Sequence, residues 1–281
     1  MERWLLISNC QTMGLANSLQ LLNRSLDVTT LDIWGYLADQ EKWEEAMPDY
    51  FRVVVSPEVE HFITNGFRNA PNLTRLPALS FSAFHPDLCY INGPAGAVQG
   101  GLGNYHSLIV FAAYKKGMPA DQTLALFNGQ FYERCGYFDY WEPQKAEVLR
   151  HFSSHKIDIS EGFLRWGRQG SFMHSSDHPK IAVIYDVARN FLIANGIDIQ
   201  DSQFRPPDSL VNGPCWPVYP EIGEVLGVEG SYLFKRDMVF RHIDLQAFVW
   251  ESYVAYAQMN VDELSTAPAY QAIFDHVSGL I

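Results

Sequence analysis

The chain has 281 residues, of which 47% are hydrophobic and 19% charged, an ordinary composition for a globular protein. Its formal net charge of −12 argues against nucleic acid or an anionic membrane as a partner, although a few clustered basic residues could still bind a small anion. Four scattered cysteines form no metal-binding spacing, and neither a signal peptide nor a membrane-spanning run is apparent, which predicts a cytoplasmic protein without a metal or membrane insertion.

The first predicted strand leads into the most informative turn of the sequence. Trp4 to Ile7 form a short apolar run, and leucines at helical spacing begin at Leu15. Between them lies Asn9-Cys10-Gln11, so we expect Cys10 at a helix N-terminus, where the helix dipole favours a thiolate. This predicts a nucleophile, with the backbone N–H groups of Cys10 and Gln11 and the Asn9 amide facing an oxyanion. Alternatively, Cys10 is a small apolar side chain buried at the end of a core strand.

Strands and helices then alternate. Strands are predicted over residues 28–33, 50–56 and 76–81, and helices over 15–24, 40–47 and 58–67. This alternation predicts a parallel α/β sheet that binds ligands beyond the carboxyl ends of its strands. The glycine-rich stretch 92–104 lacks the motif of a phosphate-binding loop and predicts a turn or lid, and residues 105–168 are predicted to be mostly helical.

A second motif is His174-Ser175-Ser176-Asp177-His178-Pro179. Proline is favoured at the first helical position, so Pro179 is expected to open a helix that ends near Gly196. His178 would then precede that helix and could act as a general base in a cleft, with Asp177 or His174 near enough to orient it. The alternative is that His178 caps the helix while Asp177 complements the helix dipole.

The C-terminal part, from about residue 205 to residue 281, is expected to elaborate one domain that covers residues 1–281. It contains a predicted strand over residues 231–236 and a predicted helix over residues 244–259. Five basic residues are candidates for a phosphate site, although each could equally lie on a solvated surface. They are Arg165, Arg168, Arg205, Lys235 and Arg236.

Four motifs in this order resemble the WcbI-type polysaccharide biosynthesis family. They are Asn9-Cys10-Gln11, Phe84 to Tyr90, Asp177-His178-Pro179 and Gly230 to Lys235. The resemblance implies a small, mainly parallel central sheet with many surrounding helices, an α/β core like that of SGNH hydrolases with helical elaborations. It also implies an acetyltransferase that acts on bacterial capsular sugars and binds coenzyme A.

The resemblance also implies roles for individual residues. Cys10 matches the nucleophile position and His178 the late histidine that acts as base. The chain departs from the SGNH pattern because cysteine replaces serine, and because Ser175 stands where an aspartate normally orients the histidine. His85 and Asp87 match the middle motif, which implies that they position a substrate or cofactor.

The first functional hypothesis is an O-acetyltransferase that takes its acyl group from acetyl-CoA and transfers it to a sugar hydroxyl in capsule biosynthesis. Cys10 either attacks the thioester or only lines the site while His178 activates the acceptor hydroxyl directly. Some aromatic residues could stack on the sugar or the adenine, among them Trp166, Trp216 and Tyr232. An SGNH-like esterase or thioesterase and a non-enzymatic carbohydrate-binding or scaffold protein are the alternatives.

Overall fold

The computed structural model describes residues 1–281, and its strands and helices are numbered in chain order. The strands are β1 (Glu2–Ser8), β2 (Leu26–Asp32), β3 (Arg52–Val55), β4 (Leu73–Arg75), β5 (Leu88–Cys89), β6 (Ile91–Gly93), β7 (Gly96–Ala97), β8 (His106–Ser107), β9 (Met173–Ser175), β10 (His178–Pro179), β11 (Phe234–Lys235), β12 (His242–Ile243) and β13 (Ser265–Thr266). The α-helices are α1 (Thr12–Leu22), α2 (Ile33–Ala38), α3 (Gln40–Ala46), α4 (Asn65–Arg68), α5 (Leu108–Lys115), α6 (Ala120–Thr123), α7 (Gly129–Arg134), α8 (Trp141–Ser154), α9 (Ser160–Arg168), α10 (Ile181–Ala194), α11 (Pro220–Leu226), α12 (Leu245–Tyr256) and α13 (Gln271–Leu280).

Strands β1 to β4 form a parallel sheet in the order β2-β1-β3-β4. Ser8 at the end of β1 is level with Asp32 of β2, and Ile7 is level with Val55 of β3. Because β1 has a neighbour on each side and helices over both faces, its run from Trp4 to Ile7 is completely buried. The predicted α/β fold, with a small parallel sheet among many helices, is confirmed.

The two faces of this sheet are covered by different elements. On one face, β1, β2 and β3 pack against α2, α4 and the segment between β3 and α4, in a cluster that includes Ile7, Val55 and Tyr36. On the other face, Trp4 of β1 packs edge-on against Phe191 of α10, with ring centres 6.4 Å apart. Helices α1 and α10 therefore lie on the face opposite to α2.

The chain divides into two compact units, each built from three stretches of sequence. Unit 1 comprises Met1–Ser80, Lys145–Phe172 and His178–Leu210, and unit 2 comprises the remaining stretches, Phe81–Gln144, Met173–Asp177 and Val211–Ile281. Unit 1 contains the parallel sheet, whereas unit 2 combines helices with strands of two or three residues. Because the stretches alternate along the chain, no single cut separates the units, and the single domain stays a prediction.

Three element predictions were wrong. Residues 76–81 are not a strand, because Pro77 has no N–H with which to continue the ladder beyond β4. The helix expected over residues 58–67 is replaced by a 3₁₀ segment at Pro57–Phe62 and the short α4. Of the strand expected over residues 231–236, only β11 is present. The helix predicted over residues 244–259 is confirmed by α12.

The glycine-rich stretch 92–104 is a set of turns. Strands β6 and β7 form a hairpin, and Gly100 and Gly103 pair with each other. Gly103 has a φ of +64°, a left-handed conformation that glycine adopts without strain. None of the helices is both long and apolar enough to cross a membrane.

Candidate functional site

Cys10 lies in the turn between β1 and α1 of unit 1. The helix begins at Thr12 with Gln11 as its N-cap, so the predicted order of strand, turn and helix is observed. Cys10 is exposed, whereas Cys89 and Cys135 are buried. The alternative that Cys10 is a buried core side chain is therefore wrong, and the thiol is accessible at the carboxyl edge of the sheet.

The Asn9 side chain shapes this turn. Its Oδ1 accepts a hydrogen bond from the Gln11 N–H at 3.0 Å, while its backbone carbonyl accepts from the Thr12 N–H at 3.1 Å. The Gln11 N–H, predicted to face an oxyanion, is thus occupied by Asn9. The Asn9 amide nitrogen, on the other side of the same carboxamide, is the donor that can serve an anion.

The side chain of Gln11 fastens the turn to the segment that follows β4. Its Nε2 donates to the Leu79 carbonyl at 2.8 Å, and its Oε1 accepts from the Leu79 N–H at 3.0 Å. Next to it, the hydroxyls of Ser8 and Ser56 lie 2.6 Å apart, and Ser56 donates to the Leu76 carbonyl at 2.8 Å. These buried bonds hold the backbone around Cys10 in one geometry.

His178 lies in β10 and is half-buried. Helix α10 begins at Ile181 rather than at Pro179, because Lys180 has an extended backbone and is the N-cap. The Ile181 N–H donates to Oδ2 of Asp208 at 3.0 Å. Asp208 therefore provides the cap that the alternative interpretation assigned to His178.

Cys10 and His178 precede two helices that pack against each other at their first turns. A Cβ atom placed on Gly14, in the first turn of α1, would lie 3.1 Å from Cδ1 of Ile184 and 3.4 Å from Cδ1 of Ile181. Glycine thus permits a close approach of α1 to the beginning of α10. Within unit 1, the two helix N-termini lie side by side, which a shared site of Cys10 and His178 requires.

Asp177 belongs to unit 2, where three hydroxyl groups hold its carboxylate. Tyr90 donates to Oδ2 at 2.6 Å, and both Tyr105 and Ser175 donate to Oδ1 at 2.8 Å. Burial and the nearby Asp177 charge raise the pKa of both tyrosines, so they stay protonated as donors. Neither tyrosine was predictable as a partner of Asp177, because Tyr90 lies in an apolar run and Tyr105 stands at the start of a predicted apolar helix.

Asp87 is completely buried in unit 2 at the N-terminus of α5. Its Oδ1 accepts from the Ile109 N–H and the Tyr137 hydroxyl, each at 3.0 Å, and its Oδ2 accepts from the Tyr219 hydroxyl at 2.7 Å. Burial raises the pKa of Asp87 to about 6, although these hydrogen bonds oppose the shift. Because Asp87 is completely buried, any effect on a ligand would pass through the groups around it, and its positioning role stays a prediction.

The two other histidines predicted to belong to the site, His85 and His174, both lie in unit 2 but differ in exposure. His85 is buried, with 2% of its surface exposed. His174 is half-buried, and its backbone carbonyl accepts from the Trp216 N–H at 2.8 Å. Their roles in positioning a substrate or cofactor stay predictions.

A family model described as the polysaccharide biosynthesis enzyme WcbI matches residues 3–200, which include the Cys10 turn and His178. The chain belongs to this family. This match confirms the resemblance seen in the sequence, and the family is one of polysaccharide biosynthesis enzymes. None of the curated proteins matches the chain.

A solved structure of WcbI has the same fold as this family member. The TM-score is 0.67 over 99% of this chain and 95% of that chain, at 13% sequence identity. That structure is described as a novel polysaccharide biosynthesis enzyme, a native protein without a disulfide bond between coenzyme A and one of its cysteines. At this identity the likeness concerns the fold.

Lys235 and Arg236, two of the five basic residues predicted to bind a cofactor in this WcbI-family chain, interact with other groups of unit 2. Lys235 is 5% exposed, and its Nζ donates to the carbonyls of Asn212, Gly213 and Arg236. The guanidinium group of Arg236 pairs with Glu251. Both cations therefore have protein partners, and cofactor binding by these two residues stays a prediction.

Arg165 and Arg205 line a cavity of about 740 Å³ in unit 1, whereas Arg168 is exposed on α9. Arg165 donates to Asp186 at 2.6 Å. The guanidinium carbon of Arg205 lies 3.8 Å from the centre of the Tyr185 ring. Both arginines thus have protein partners already.

The same cavity contains a third arginine, Arg189, which pairs with Asp201. Ala182 and Asp186 of α10 line this cavity, whereas Ile184 of α10 faces Gly14 of α1. The cavity therefore lies on the face of α10 opposite to the face that contacts α1. An anion there would meet four carboxylates as well as three guanidinium groups, so the cavity offers little net attraction to phosphate. Those carboxylates belong to Asp158, Glu161, Asp186 and Asp201.

Glu58, which follows the end of β3, pairs with His151 of α8, and neither residue was predicted to belong to a site. Nε2 of His151 lies 2.7 Å from Oε1 of Glu58, and Oε2 of Glu58 accepts from the Ala78 N–H at 3.0 Å. The two residues are 93 positions apart, and neither stands in a recognisable motif. No sequence signal could have found this pair.

Proposed function

We propose that the protein is an acyltransferase that moves the acetyl group of acetyl-CoA to a carbohydrate hydroxyl in polysaccharide biosynthesis. The observation that carries this proposal is the exposed Cys10 at a helix N-terminus, at the carboxyl edge of a parallel sheet. Family membership and the mention of coenzyme A for the solved WcbI structure support it. A cytoplasmic location fits the supply of acetyl-CoA.

In the proposed first step, the Cys10 thiolate attacks the thioester carbonyl carbon. The carbon–sulfur bond to coenzyme A then breaks, and the departing thiolate takes a proton from the His178 imidazolium. The products are an acetyl-cysteine and free coenzyme A. The N-terminal dipole of α1 and the Asn9 amide nitrogen supply the positive potential that stabilises the tetrahedral oxyanion.

In the second step, neutral His178 removes the proton of the acceptor hydroxyl. The resulting oxygen nucleophile attacks the acetyl carbonyl, and the carbon–sulfur bond to Cys10 breaks, which restores the thiolate and the imidazolium. In the direct route, His178 activates the same hydroxyl against acetyl-CoA, and Cys10 only lines the site.

Asp177 is proposed to act on His178, its neighbour in sequence. The three hydroxyl donors hold the Asp177 carboxylate as a fixed anion, and such an anion stabilises the imidazolium formed during transfer. The role of Asp177 is therefore positioning and electrostatic, with no transfer of its own proton.

The test uses acetyl-CoA labelled in the acetyl group, together with a panel of carbohydrate acceptors. We expect label on the carbohydrate and, after acid quenching, on Cys10. His178→Gln should reduce kcat about 10²- to 10⁴-fold, since a general base is lost. Cys89→Ser is the matched control, because this buried thiol should not affect transfer. Labelled free acetate without an acetylated carbohydrate would instead identify a thioesterase, and no consumption of acetyl-CoA would reject the proposal.

A further inference from the structure

Two exposed aromatic side chains lie next to each other at the edge of the unit 1 sheet. Trp34 is 72% exposed and Phe62 is 41% exposed. Their ring centres are 6.5 Å apart, and the ring planes are inclined by 45°. An exposed aromatic pair of this kind marks a binding surface more often than an isolated exposed side chain does.

The pair lies at the same edge of the sheet as Cys10. Trp34 follows the carboxyl end of β2, and Phe62 lies in the 3₁₀ segment that follows the carboxyl end of β3. These strands flank β1 on its two sides, and Cys10 follows β1. The two rings, one following β2 and the other following β3, are therefore in contact at the edge where β1 ends and Cys10 lies.

The backbone beneath both rings is anchored. Asp32 caps α2 by accepting from the Gly35 N–H at 2.7 Å, which fixes the beginning of the helix that carries Trp34. Phe62 contacts the His61 ring, with centres 3.8 Å apart, and the adjacent Ile63 is buried in the core. The rings are therefore presented on a rigid support, which lowers the entropic cost of binding a ligand.

We propose that Trp34 and Phe62 form a platform for a pyranose ring of the acceptor carbohydrate; this inference rests on the proposed function. A pyranose presents C–H groups on its faces and hydroxyls around its rim, so it packs flat on an aromatic ring while the rim stays hydrated. The exposed Asp32, two residues before Trp34, and the exposed His61 ring, which contacts Phe62, are hydrogen-bond partners available to the hydroxyls. The net charge of −12 favours a neutral sugar over a polyanionic ligand.

The binding test uses protein labelled with 5-fluorotryptophan and three probes: cellotetraose, maltotetraose and chitotetraose. The Trp34 fluorine resonance, assigned by its absence in Trp34→Phe, should shift with at least one of them. Trp34→Ala and Phe62→Ala should each raise the Kd about tenfold, the equivalent of one lost stacking contact. Phe51→Ala is the matched control, since Phe51 is 61% exposed but precedes β3 at the opposite edge.

The transfer assay separates the platform from the proposed function. With a saccharide that binds, Trp34→Ala should raise the KM for the carbohydrate about tenfold and leave the KM for acetyl-CoA unchanged. A Trp34 resonance that responds to acetyl-CoA but to no saccharide would overturn the proposal in favour of adenine stacking, and one that responds to neither would also overturn it. Saccharide binding at Trp34 without any acetyl transfer would support the platform and reject the acetyltransferase.

Discussion

Cys10 is the exposed member of a set of four cysteines, two of which are buried. Burial and the Asp87 charge raise the pKa of Cys89 and raise that of Cys135 to about 12, so both stay protonated. We expect iodoacetamide to label Cys10 more than tenfold faster than either buried thiol near neutral pH, because only a thiolate reacts. Peptide mapping after short exposure measures the three rates. Equal labelling of Cys10 and Cys89 would contradict the proposal that Cys10 is a thiolate.

Gln11 provides a second test at the residue scale. Gln11→Ala leaves the buried N–H and carbonyl of Leu79 without their partners, at a cost of about 2–4 kcal/mol in the free energy of unfolding. Urea denaturation measures this cost, with Gln203→Ala as a control at an exposed position. A Gln11→Ala variant as stable as the wild type would show that water replaces both bonds.

Local signals made the position of Cys10 predictable, since the strand, the turn and the first helical leucines all lie within about fifteen residues of sequence. The capping of α10 was not predictable, because Asp208 lies 27 residues from Ile181. The pairing of Glu58 with His151 joins residues even farther apart. Contacts between side chains so far apart in sequence depend on the tertiary fold, which local periodicity does not predict.

At the scale of elements, the contact between α1 and α10 is the one that the proposed chemistry depends on. Gly14→Leu should force the helices apart and destabilise the protein by about 1–3 kcal/mol, since Ile184 already lies within contact distance of a single methyl group placed on Gly14. Acetyl transfer should fall as well, because Cys10 and His178 precede these helices. Ile184→Ala in the same chain should restore part of both. Unchanged transfer in Gly14→Leu would show that the helix spacing does not matter to the site.

Two of the three wrongly predicted elements lie beyond the carboxyl ends of β3 and β4. The stretch after Arg75 is apolar enough for a strand, but Pro77 ends the ladder and the Gln11 side chain takes the place of a neighbouring strand at Leu79. Pro57 likewise starts a 3₁₀ segment where a longer helix was expected. A proline interrupts the local pattern in both places, and at Leu79 a partner from another part of the chain completes the hydrogen bonding.

At the scale of the molecule, two buried groups of unit 2 make opposite contributions to the pH dependence of stability. Burial raises the pKa of Asp87 to about 6 from an ordinary 3.8, so its contribution is lost as the pH rises from 3.8 to 6. Burial lowers the pKa of His106 to about 4 from an ordinary 6.5, so its contribution is lost as the pH falls from 6.5 to 4. The two effects offset each other over the shared range.

Asp87→Asn should remove the contribution of Asp87, so that the loss of stability caused by His106 at low pH is no longer offset. Between pH 6.5 and pH 4 we expect this variant to lose about 2 kcal/mol more of its free energy of unfolding than the wild type loses, and His106→Gln should shift the dependence in the other direction. Denaturant titrations at the two pH values measure both, with Asp121→Asn as the exposed control. Parallel pH profiles for Asp87→Asn and the wild type would contradict the raised pKa of Asp87.

The alternation of stretches between the units has a consequence during synthesis. The first 80 residues bring all four parallel strands out of the ribosome, but Phe191, which covers Trp4, follows more than a hundred residues later. At about 5–20 residues per second, that interval lasts roughly 5–20 seconds. For this time the apolar surface around Trp4 lacks its cover from α10, and we expect holding chaperones to bind the nascent chain until α10 emerges.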